Sequence, residues 1–287
     1  METRSLGDAK VGAIGLGEMP MSIEGRPDEK QSIATIHTAL DVGVTLIDTA
    51  DAYHVRADEV GHGEDLVARA LASYSGDTSQ VIVATKGGHL RPGDGRWTVD
   101  GSPAHIRAAC EASLRRLGVD AIGLYQHHRP DRRVPYADSI GTLRDLLDEG
   151  KIVRAGISNA NPAQIRQALE SLDGRLTSVQ NEFSPDFRSS EPELELCDEL
   201  GIAFLPWGPL GGSGGAPSLG RRHKEFAAVG AEIGATAQQT TLAWMLARSP
   251  VMIPIPGSSR PETIQASVAA ADLVLTPDQV ARLDAAR

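Results

Sequence analysis

Short apolar runs recur along the chain and are separated by polar, turn-forming residues. The eight runs are rich in Val, Ile and Leu and cover residues 11–16, 44–48, 81–86, 121–126, 152–158, 176–180, 202–206 and 251–256. Apolar runs that are continuous instead of alternating are typical of strands buried on both faces. The pattern therefore predicts eight buried strands.

Segments with the period of a helix lie between these runs. Ile33, Ile36 and Leu40, for example, fall on one helical face. The dipeptides Ser102-Pro103 and Asn161-Pro162 are typical of helix starts, with the polar residue as the cap. Strand and helix therefore alternate about eight times along the chain.

Two architectures suit this alternation, a closed eightfold barrel and an open doubly wound sheet. Gly15-Leu16-Gly17 follows the first run, but no helix is predicted to start there, so it is not a dinucleotide-binding fingerprint. Eight units without that fingerprint favour an α/β fold of the (β/α)8 TIM barrel class. We expect a single barrel domain over residues 1–287, since about 250 residues suffice for one.

Composition and charge narrow the function classes. The 287 residues are 41% hydrophobic and 23% charged, which indicates a folded core. Lys plus Arg number 28 and Asp plus Glu 38, and this net charge of −10 argues against a nucleic-acid partner. Two cysteines are too few for a disulfide framework or a four-cysteine zinc site.

No targeting or membrane segment is visible in the sequence. The first ten residues contain no apolar signal-peptide core, and the longest uncharged stretch, residues 201–220, is interrupted by Gly and Pro. We therefore expect no membrane association and a reducing, cytoplasmic setting.

Candidate catalytic residues follow the runs directly, because catalytic groups in such barrels come from the C-terminal ends of the strands. In chain order they are Asp48, Asp51, Tyr53, Lys86, His127, His128, Ser158, Asn159, Gln180, Asn181, Trp207, Gly257, Ser258, Ser259 and Arg260. We expect these side chains to converge on one mouth of the barrel.

Tyr, Lys, Asp and His at one mouth suit the reduction of a carbonyl or the oxidation of an alcohol. A free phenol has a pKa near 10 and is a poor acid at neutral pH. An ammonium group about 4 Å away favours the phenolate by roughly 4 kcal/mol at an effective dielectric of 20. A carboxylate beside the lysine keeps it charged, and a histidine can bind the same substrate oxygen.

Other interpretations stay open for the same residues. Asp48 could cap a turn, and Lys86 could be a solvated lysine or the Schiff-base lysine of a lyase. His127 and His128 are adjacent, so in a strand they point to opposite faces and do not easily bind one metal ion. We predict no metal site.

Seven stretches resemble the aldo-keto reductase family, in the family's order and over essentially the whole chain. They are IDTADAYH (47–54), VATKGG (83–88), LYQHHRPD (124–131), GISN (156–159), VQNEFSP (179–185), PWGPLGG (206–212) and IPGSSRPE (255–262). The resemblance implies an NAD(P)H-dependent oxidoreductase on an eightfold barrel. Such an enzyme reduces an aldehyde or ketone to an alcohol by hydride transfer.

The resemblance assigns catalytic roles to four residues by motif position. Tyr53 corresponds to the general acid/base, Lys86 to the cation that lowers its pKa, and Asp48 to the partner of the lysine. His128 corresponds to the family histidine because it precedes Arg-Pro-Asp, and a slip of one residue would give that role to His127.

The resemblance also implies a cofactor site in three parts. Ser158, Asn159 and Gln180 correspond to residues that hold the nicotinamide carboxamide, and Trp207 to the aromatic side chain that stacks on the nicotinamide. Gly208, Pro209, Leu210 and Gly211 resemble the loop over the pyrophosphate, and Gly257, Ser258 and Arg260 the 2′-phosphate end.

NADPH is the expected cofactor, with NADH as the alternative. Some relatives carry a basic residue at the positions of Gly257 and Thr263 and an Asn at Ser267, and this chain has none of them. Arg260 keeps a guanidinium that suits phosphate. The expected partner is a small carbonyl substrate. The alternative function is a cofactor-binding regulatory subunit with little catalytic activity.

Overall fold

The chain folds into a (β/α)8 barrel, and the computed structural model describes residues 1–212 and 214–286. The strands are β1 (Thr3–Leu6), β2 (Ala9–Gly12), β3 (Leu16–Gly17), β4 (Leu46–Asp48), β5 (Ile82–Gly87), β6 (His89–Leu90), β7 (Thr98–Val99), β8 (Leu124–His127), β9 (Ala155–Ser158), β10 (Leu176–Gln180) and β11 (Ala203–Phe204). The helices are α1 (Glu29–Asp41), α2 (His62–Ser73), α3 (Pro103–Leu117), α4 (Tyr136–Asp148), α5 (Pro162–Ser171), α6 (Glu191–Leu200), α7 (Leu219–Arg222), α8 (Lys224–Ile233), α9 (Ala237–Arg248), α10 (Pro261–Val268) and α11 (Pro277–Ala285).

The barrel sheet consists of seven parallel strands in the order β3, β4, β5, β8, β9, β10, β11. Residues 251–257 close the ring, with parallel bridges from Met252 to Phe204 and from Gly257 to Gly17. Neighbours in sequence are thus neighbours in space, unlike the reversed order of an open doubly wound sheet.

Helix starts follow the expected capping chemistry. The Ser102 side chain accepts a hydrogen bond from the backbone of His105 at the start of α3. Asn161 and Gln164 cap each other at the start of α5. These caps satisfy backbone N–H groups that a first helical turn leaves without partners.

The first apolar run is divided between two elements, which differs from the expected strand over residues 11–16. Val11 and Gly12 belong to β2, which pairs with β1 in an antiparallel hairpin. Only Leu16 of the run lies in a barrel strand, β3. Leu6 and Val11 pack on the apolar side chains inside the barrel, so the hairpin plugs the end opposite the strands' C-termini.

The apolar core has two layers. The larger layer lies between the strands and the surrounding helices and runs from Ala13 to Leu283. The smaller layer fills the barrel with residues such as Leu46, Leu124 and Ile253. Both layers leave the C-terminal ends of the strands free for polar groups.

Candidate active site

Lys86, at the end of β5, is the centre of a buried polar cluster. Its side chain is fully shielded from solvent. The Nζ donates to Asp48 Oδ1 at 2.6 Å, to the Thr49 carbonyl at 2.8 Å and to the Tyr53 hydroxyl at 3.2 Å. These three acceptors match the three donors of an ammonium group.

The Lys86 ammonium stays charged in this cluster. Burial alone would lower its pKa, but Asp48 and Tyr53 raise the pKa above its usual value. The other carboxylate oxygen of Asp48 accepts from Gln180 at 2.7 Å and from Gln126 at 3.3 Å. Asp48 is thus fixed on both sides, and it fixes the lysine in turn.

The Tyr53 hydroxyl accepts a hydrogen bond from Lys86, and the ring lines a large cavity. Burial raises the pKa of Tyr53 above its usual value, and Asp48 adds to the rise. Lys86 lowers the pKa as the sequence suggested, but the desolvation of the buried phenol outweighs this effect. The phenol is therefore neutral, with its own hydrogen free to point into the cavity.

The two adjacent histidines face different surroundings. The His128 ring lines the cavity and meets the Tyr53 ring edge-on, with 5.9 Å between centroids. The His127 ring is buried against Tyr136 instead, 5.8 Å between centroids, and its two nitrogens have no partner among the described residues. His128 is the one that faces Tyr53.

Both imidazoles are neutral at pH 7. Burial, with a contribution from Lys86, holds the pKa of His128 well below its usual value. Burial lowers the pKa of His127 to about 4. A neutral His128 can still donate one hydrogen bond into the cavity.

The cavity at the C-terminal ends of the strands has a volume of about 900 Å³, near the upper end of the range usual for ligand sites. The resemblance gave four residues a catalytic role and eleven a cofactor-binding role, and eleven of these fifteen line the cavity: Asp48, Tyr53, His128, Ser158, Asn159, Gln180, Trp207, Gly208, Pro209, Leu210 and Gly257. Lys86 lies directly behind Tyr53. Gly211, Ser258 and Arg260 are not among the lining residues.

Ser158, Asn159 and Gln180 form one hydrogen-bonded network at the ends of β9 and β10. Ser158 Oγ donates to the Gln180 carbonyl at 2.7 Å. Asn159, in a left-handed backbone conformation (φ 57°), donates from Nδ2 to the His128 carbonyl and to Ser158 Oγ. Its Oδ1 accepts from Arg129 Nη2 at 3.2 Å. The network fixes the Asn159 amide, while Asp48 holds the Gln180 amide.

Trp207 and the glycine-rich loop after it form another wall. Trp207 packs on the apolar interior of the barrel, and its buried Nε1 has no partner among the described residues. Gly208 and Gly211 have positive φ angles, which glycine adopts without strain. Arg222 holds the loop by donating to the Gly215 carbonyl and by pairing with Asp186 at 2.8 Å.

The segment after the eighth run adds a buried hydroxyl. The backbone N–H of Ser258 donates to the Gly17 carbonyl, while its Oγ is buried and has no partner among the described residues. Arg260 is exposed and has Glu262 as its ion-pair partner at 3.5 Å. Ser258 Oγ is thus a polar group that a bound ligand could satisfy, and the Arg260 guanidinium is available at the rim.

A hairpin between β5 and α3, residues 88–101, forms a further wall of the cavity, and we call it the aromatic arm. His89 and Trp97 stack within it, 4.6 Å between centroids, and His89 meets the His128 ring at 4.8 Å. The Arg91 guanidinium covers Trp97 and pairs with Glu24 of the loop after β3. The arm is thereby tied to the loop after β3.

Glu18 is a buried acid that sequence reasoning missed. It follows β3 directly and accepts from Ser22 Oγ and, at 2.9 Å, from Thr49 Oγ1. Burial raises its pKa to about 7. The strand-end rule would have found Glu18 if the first barrel strand had been placed at Leu16–Gly17.

The described residues contain neither a membrane-spanning helix nor a cluster of metal ligands. None of their helices is long and apolar enough to cross a bilayer. Over residues 1–212 and 214–286, no three side chains of the His, Cys, Asp and Glu types come together as a metal site.

The chain is similar along nearly its whole length to one family of oxidoreductases. The model described as "Aldo/keto reductase family" matches residues 13–287. An oxidoreductase of Schizosaccharomyces pombe is 36% identical over 286 residues, which cover 98% of this chain and 89% of that protein.

Two solved structures share the architecture. The glycerol dehydrogenase of Gluconobacter oxydans superposes with a TM-score of 0.83 at 26% identity, covering 98% of this chain and 94% of that one. An aldo/keto reductase of Klebsiella pneumoniae, solved in complex with NADP and acetate, gives 0.82 at 29% identity with the same coverage of both chains.

Proposed function

Since this chain belongs to the aldo/keto reductase family, we propose that it is an NADPH-dependent reductase of a small aldehyde or ketone. The observation that carries the proposal is the contact of a charged Lys86 with the hydroxyl of Tyr53 at the wall of the large cavity. The NADP in the related Klebsiella structure supports the cofactor assignment.

The cavity suits a dinucleotide in size and in its polar groups. The network of Ser158, Asn159 and Gln180 would hold the nicotinamide carboxamide, and Trp207 would stack on the ring. The loop from Gly208 to Gly211 would contact the pyrophosphate. Bound there, the reduced cofactor supplies a hydride to the substrate carbon.

Ser258 and Arg260 would hold the 2′-phosphate. Ser258 Oγ has no partner among the described residues, and Arg260 has only a loose ion pair. A serine hydroxyl and a guanidinium fork both suit phosphate oxygens. This end of the site therefore favours NADPH over NADH.

Tyr53 would donate the proton to the carbonyl oxygen. Its oxygen accepts from Lys86, so the phenolic hydrogen is free for the substrate. As the proton leaves, the phenolate gains the full attraction of the ammonium beside it. Asp48 keeps that ammonium in place, and neutral His128 would donate a hydrogen bond to the same substrate oxygen.

This arrangement does not favour the lyase alternative. A Schiff-base lysine attacks as a neutral amine, whereas Lys86 has a raised pKa and all its donors engaged. A regulatory subunit would bind the cofactor but show little turnover, so an activity assay distinguishes this alternative from the proposal.

The decisive variant is Tyr53→Phe, which removes the proton donor and keeps the ring. We expect kcat for aldehyde reduction to fall about 10²–10⁴-fold, since general acid catalysis contributes on that order. The dissociation constant for NADPH should stay unchanged. The measurements are NADPH consumption over aldehydes and ketones, NADP-dependent glycerol oxidation, and cofactor titration by Trp fluorescence with NADPH and NADH in parallel.

Tyr136→Phe is the matched control, because Tyr136 is also buried but packs on His127 and does not line the cavity. It should keep its turnover. Normal turnover in Tyr53→Phe would refute the acid assignment, and NADPH binding without reduction of any carbonyl would favour the regulatory subunit.

A further inference from the structure

We propose that Arg129 binds a carboxylate of the substrate, so that the preferred substrates are carbonyl compounds that carry an acid group. The inference rests on the proposed function and assigns the substrate class of the same cavity.

The place of Arg129 in the fold supports this role. It follows His128 directly at the end of β8, and both residues line the cavity with Tyr53. A substrate whose carbonyl oxygen meets Tyr53 and His128 therefore has Arg129 in the same cavity, close enough that it adds to burial in lowering the pKa of His128. The residue is half-buried, so its guanidinium is partly removed from water.

The hydrogen bonds of Arg129 leave most of the guanidinium unused. Nη2 donates to Asn159 Oδ1 at 3.2 Å. Nε is buried and has no partner in the described part of the chain. A guanidinium has five N–H donors, and the fork suits the two oxygens of a carboxylate.

No carboxylate of the described residues lies within ion-pair distance of Arg129, which sets it apart from the other cations around the cavity. Lys86 has Asp48 at 2.6 Å, and Arg91 has Glu24. Glu182 lies close enough for Arg129 to lower its pKa against the effect of burial. Glu182 does not line the cavity, however, and forms no ion pair with Arg129.

Charged groups that leave water are normally paired. The whole chain has a net charge of −10, yet Arg129 lines the cavity with no counter-ion within ion-pair distance among residues 1–212 and 214–286. An acidic surface disfavours anions in general, so this cation selects only those anions that fit its position in the cavity.

Two anions could take this place, a substrate carboxylate and a cofactor phosphate. The proposed phosphate contacts lie elsewhere on the rim, at the loop from Gly208 to Gly211 and at Ser258 and Arg260. Arg129 lies just past the end of β8, directly after His128, the proposed hydrogen-bond donor to the substrate oxygen. Its position therefore favours the substrate.

The test compares each acid with its own methyl ester, which removes the charge and keeps the carbonyl. The probes are 4-carboxybenzaldehyde and succinic semialdehyde with their methyl esters. We expect the wild-type enzyme to prefer at least one acid. Arg129→Gln should reduce that acid-to-ester ratio of kcat/KM about 10–100-fold, as for a lost charge-assisted hydrogen bond of about 1.5–3 kcal/mol. The change should appear mainly in KM.

A binding measurement makes the test independent of turnover. Calorimetric titration of the NADP-loaded protein with each acid and ester should show the same loss of preference in Arg129→Gln, with partial retention in Arg129→Lys. Arg166→Gln is the control, because Arg166 is exposed on α5 and its loss changes the net charge equally. It should leave the ratios unchanged.

Three results would overturn the inference. Equal losses for acid and ester would make Arg129 a positioning residue for Asn159. Weaker NADPH binding at unchanged ratios would make a cofactor phosphate its partner. Wild-type protein that binds no acid better than its ester would refute the carboxylate site. Failure to reduce any carbonyl would instead refute the proposed function, since the calorimetric comparison stands without it.

Discussion

At the scale of single residues, the three hydrogen bonds of Lys86 serve two purposes, to keep the ammonium charged and to contact the Tyr53 hydroxyl. Asp48 and the Thr49 carbonyl keep the ammonium charged, and Tyr53 receives its third hydrogen bond. The residue types and their strand-end positions predicted this cluster. The net direction of the Tyr53 pKa was not predictable, because desolvation depends on how completely the fold shields the phenol.

Glu18 gives a prediction for stability at this scale. Burial raises its pKa from 4.5 to about 7, so the folded state holds a proton that the unfolded chain releases. The free energy of unfolding should therefore fall as pH rises between these values, by about 3 kcal/mol in all. Glu18→Gln removes this penalty and should gain stability relative to wild type between pH 5 and pH 8, as measured by urea unfolding.

The Glu18→Gln comparison has a simple control. Glu195→Gln changes an exposed carboxyl on α6 and should show no such gain. If the stability difference between Glu18→Gln and wild type were the same at both pH values, Glu18 would not hold its proton in the folded state.

At the scale of elements, the strand ends were predictable and the aromatic arm was not. Continuous apolar runs mark β4, β5, β8, β9 and β10 because each is buried on both faces. The arm has no such period, and its β6 and β7 strands contain only two residues each. Its structure depends on contacts between distant residues, such as that of Arg91 with Glu24.

The position of Trp97 in the arm predicts that its removal weakens substrate binding. Trp97 is 40% exposed and stacks on His89 beside His128. If the proposed function holds, Trp97→Ala should raise KM about 10-fold for an aromatic aldehyde, as for a lost aromatic contact of about 1.4 kcal/mol. Steady-state kinetics should show a nearly unchanged kcat.

Trp97→Phe keeps an aromatic ring and should retain most of the affinity. NADPH binding should be the same in both variants, because the proposed cofactor contacts lie on other walls. A weakened NADPH complex with normal KM for the aldehyde would place Trp97 on the cofactor side of the cavity.

At the scale of the whole molecule, the barrel closes where its strands are least regular. The eighth run contains Pro254 and Pro256, which have no backbone N–H to donate. Gly15 and Gly17 donate to the carbonyls of these prolines, and only Ser258, beyond both prolines, donates back, to the Gly17 carbonyl. Sequence periodicity predicted the eighth position but not this pairing, because proline weakens the strand signal.

Closure at this joint requires glycine at position 17. A Cβ there would lie 2.8 Å from the Ile255 carbonyl oxygen, which is closer than such atoms approach. Gly17→Ala should lower the free energy of unfolding by about 1–3 kcal/mol, the usual cost of overpacking. Denaturant unfolding measures the difference.

Gly141→Ala is the opposite case and serves as the control. Gly141 lies within α4, and a Cβ there would meet nothing within 4 Å. That substitution should stabilise the protein by about 0.5–1 kcal/mol through helix propensity. If Gly17→Ala and Gly141→Ala changed the free energy of unfolding equally, the joint would accommodate the added Cβ without strain.

Both ends of the aromatic arm lie next to the imidazole of His127. A Cβ on Gly88 or on Gly101 would lie within 3.7 Å of the His127 ring, so both ends of the hairpin rest on a side chain outside the cavity. If the proposed function holds, the sequence of the tip can then change while Tyr53 and Lys86 keep their positions. The contribution of the arm to substrate selectivity is thus separable from the positions of Tyr53 and Lys86.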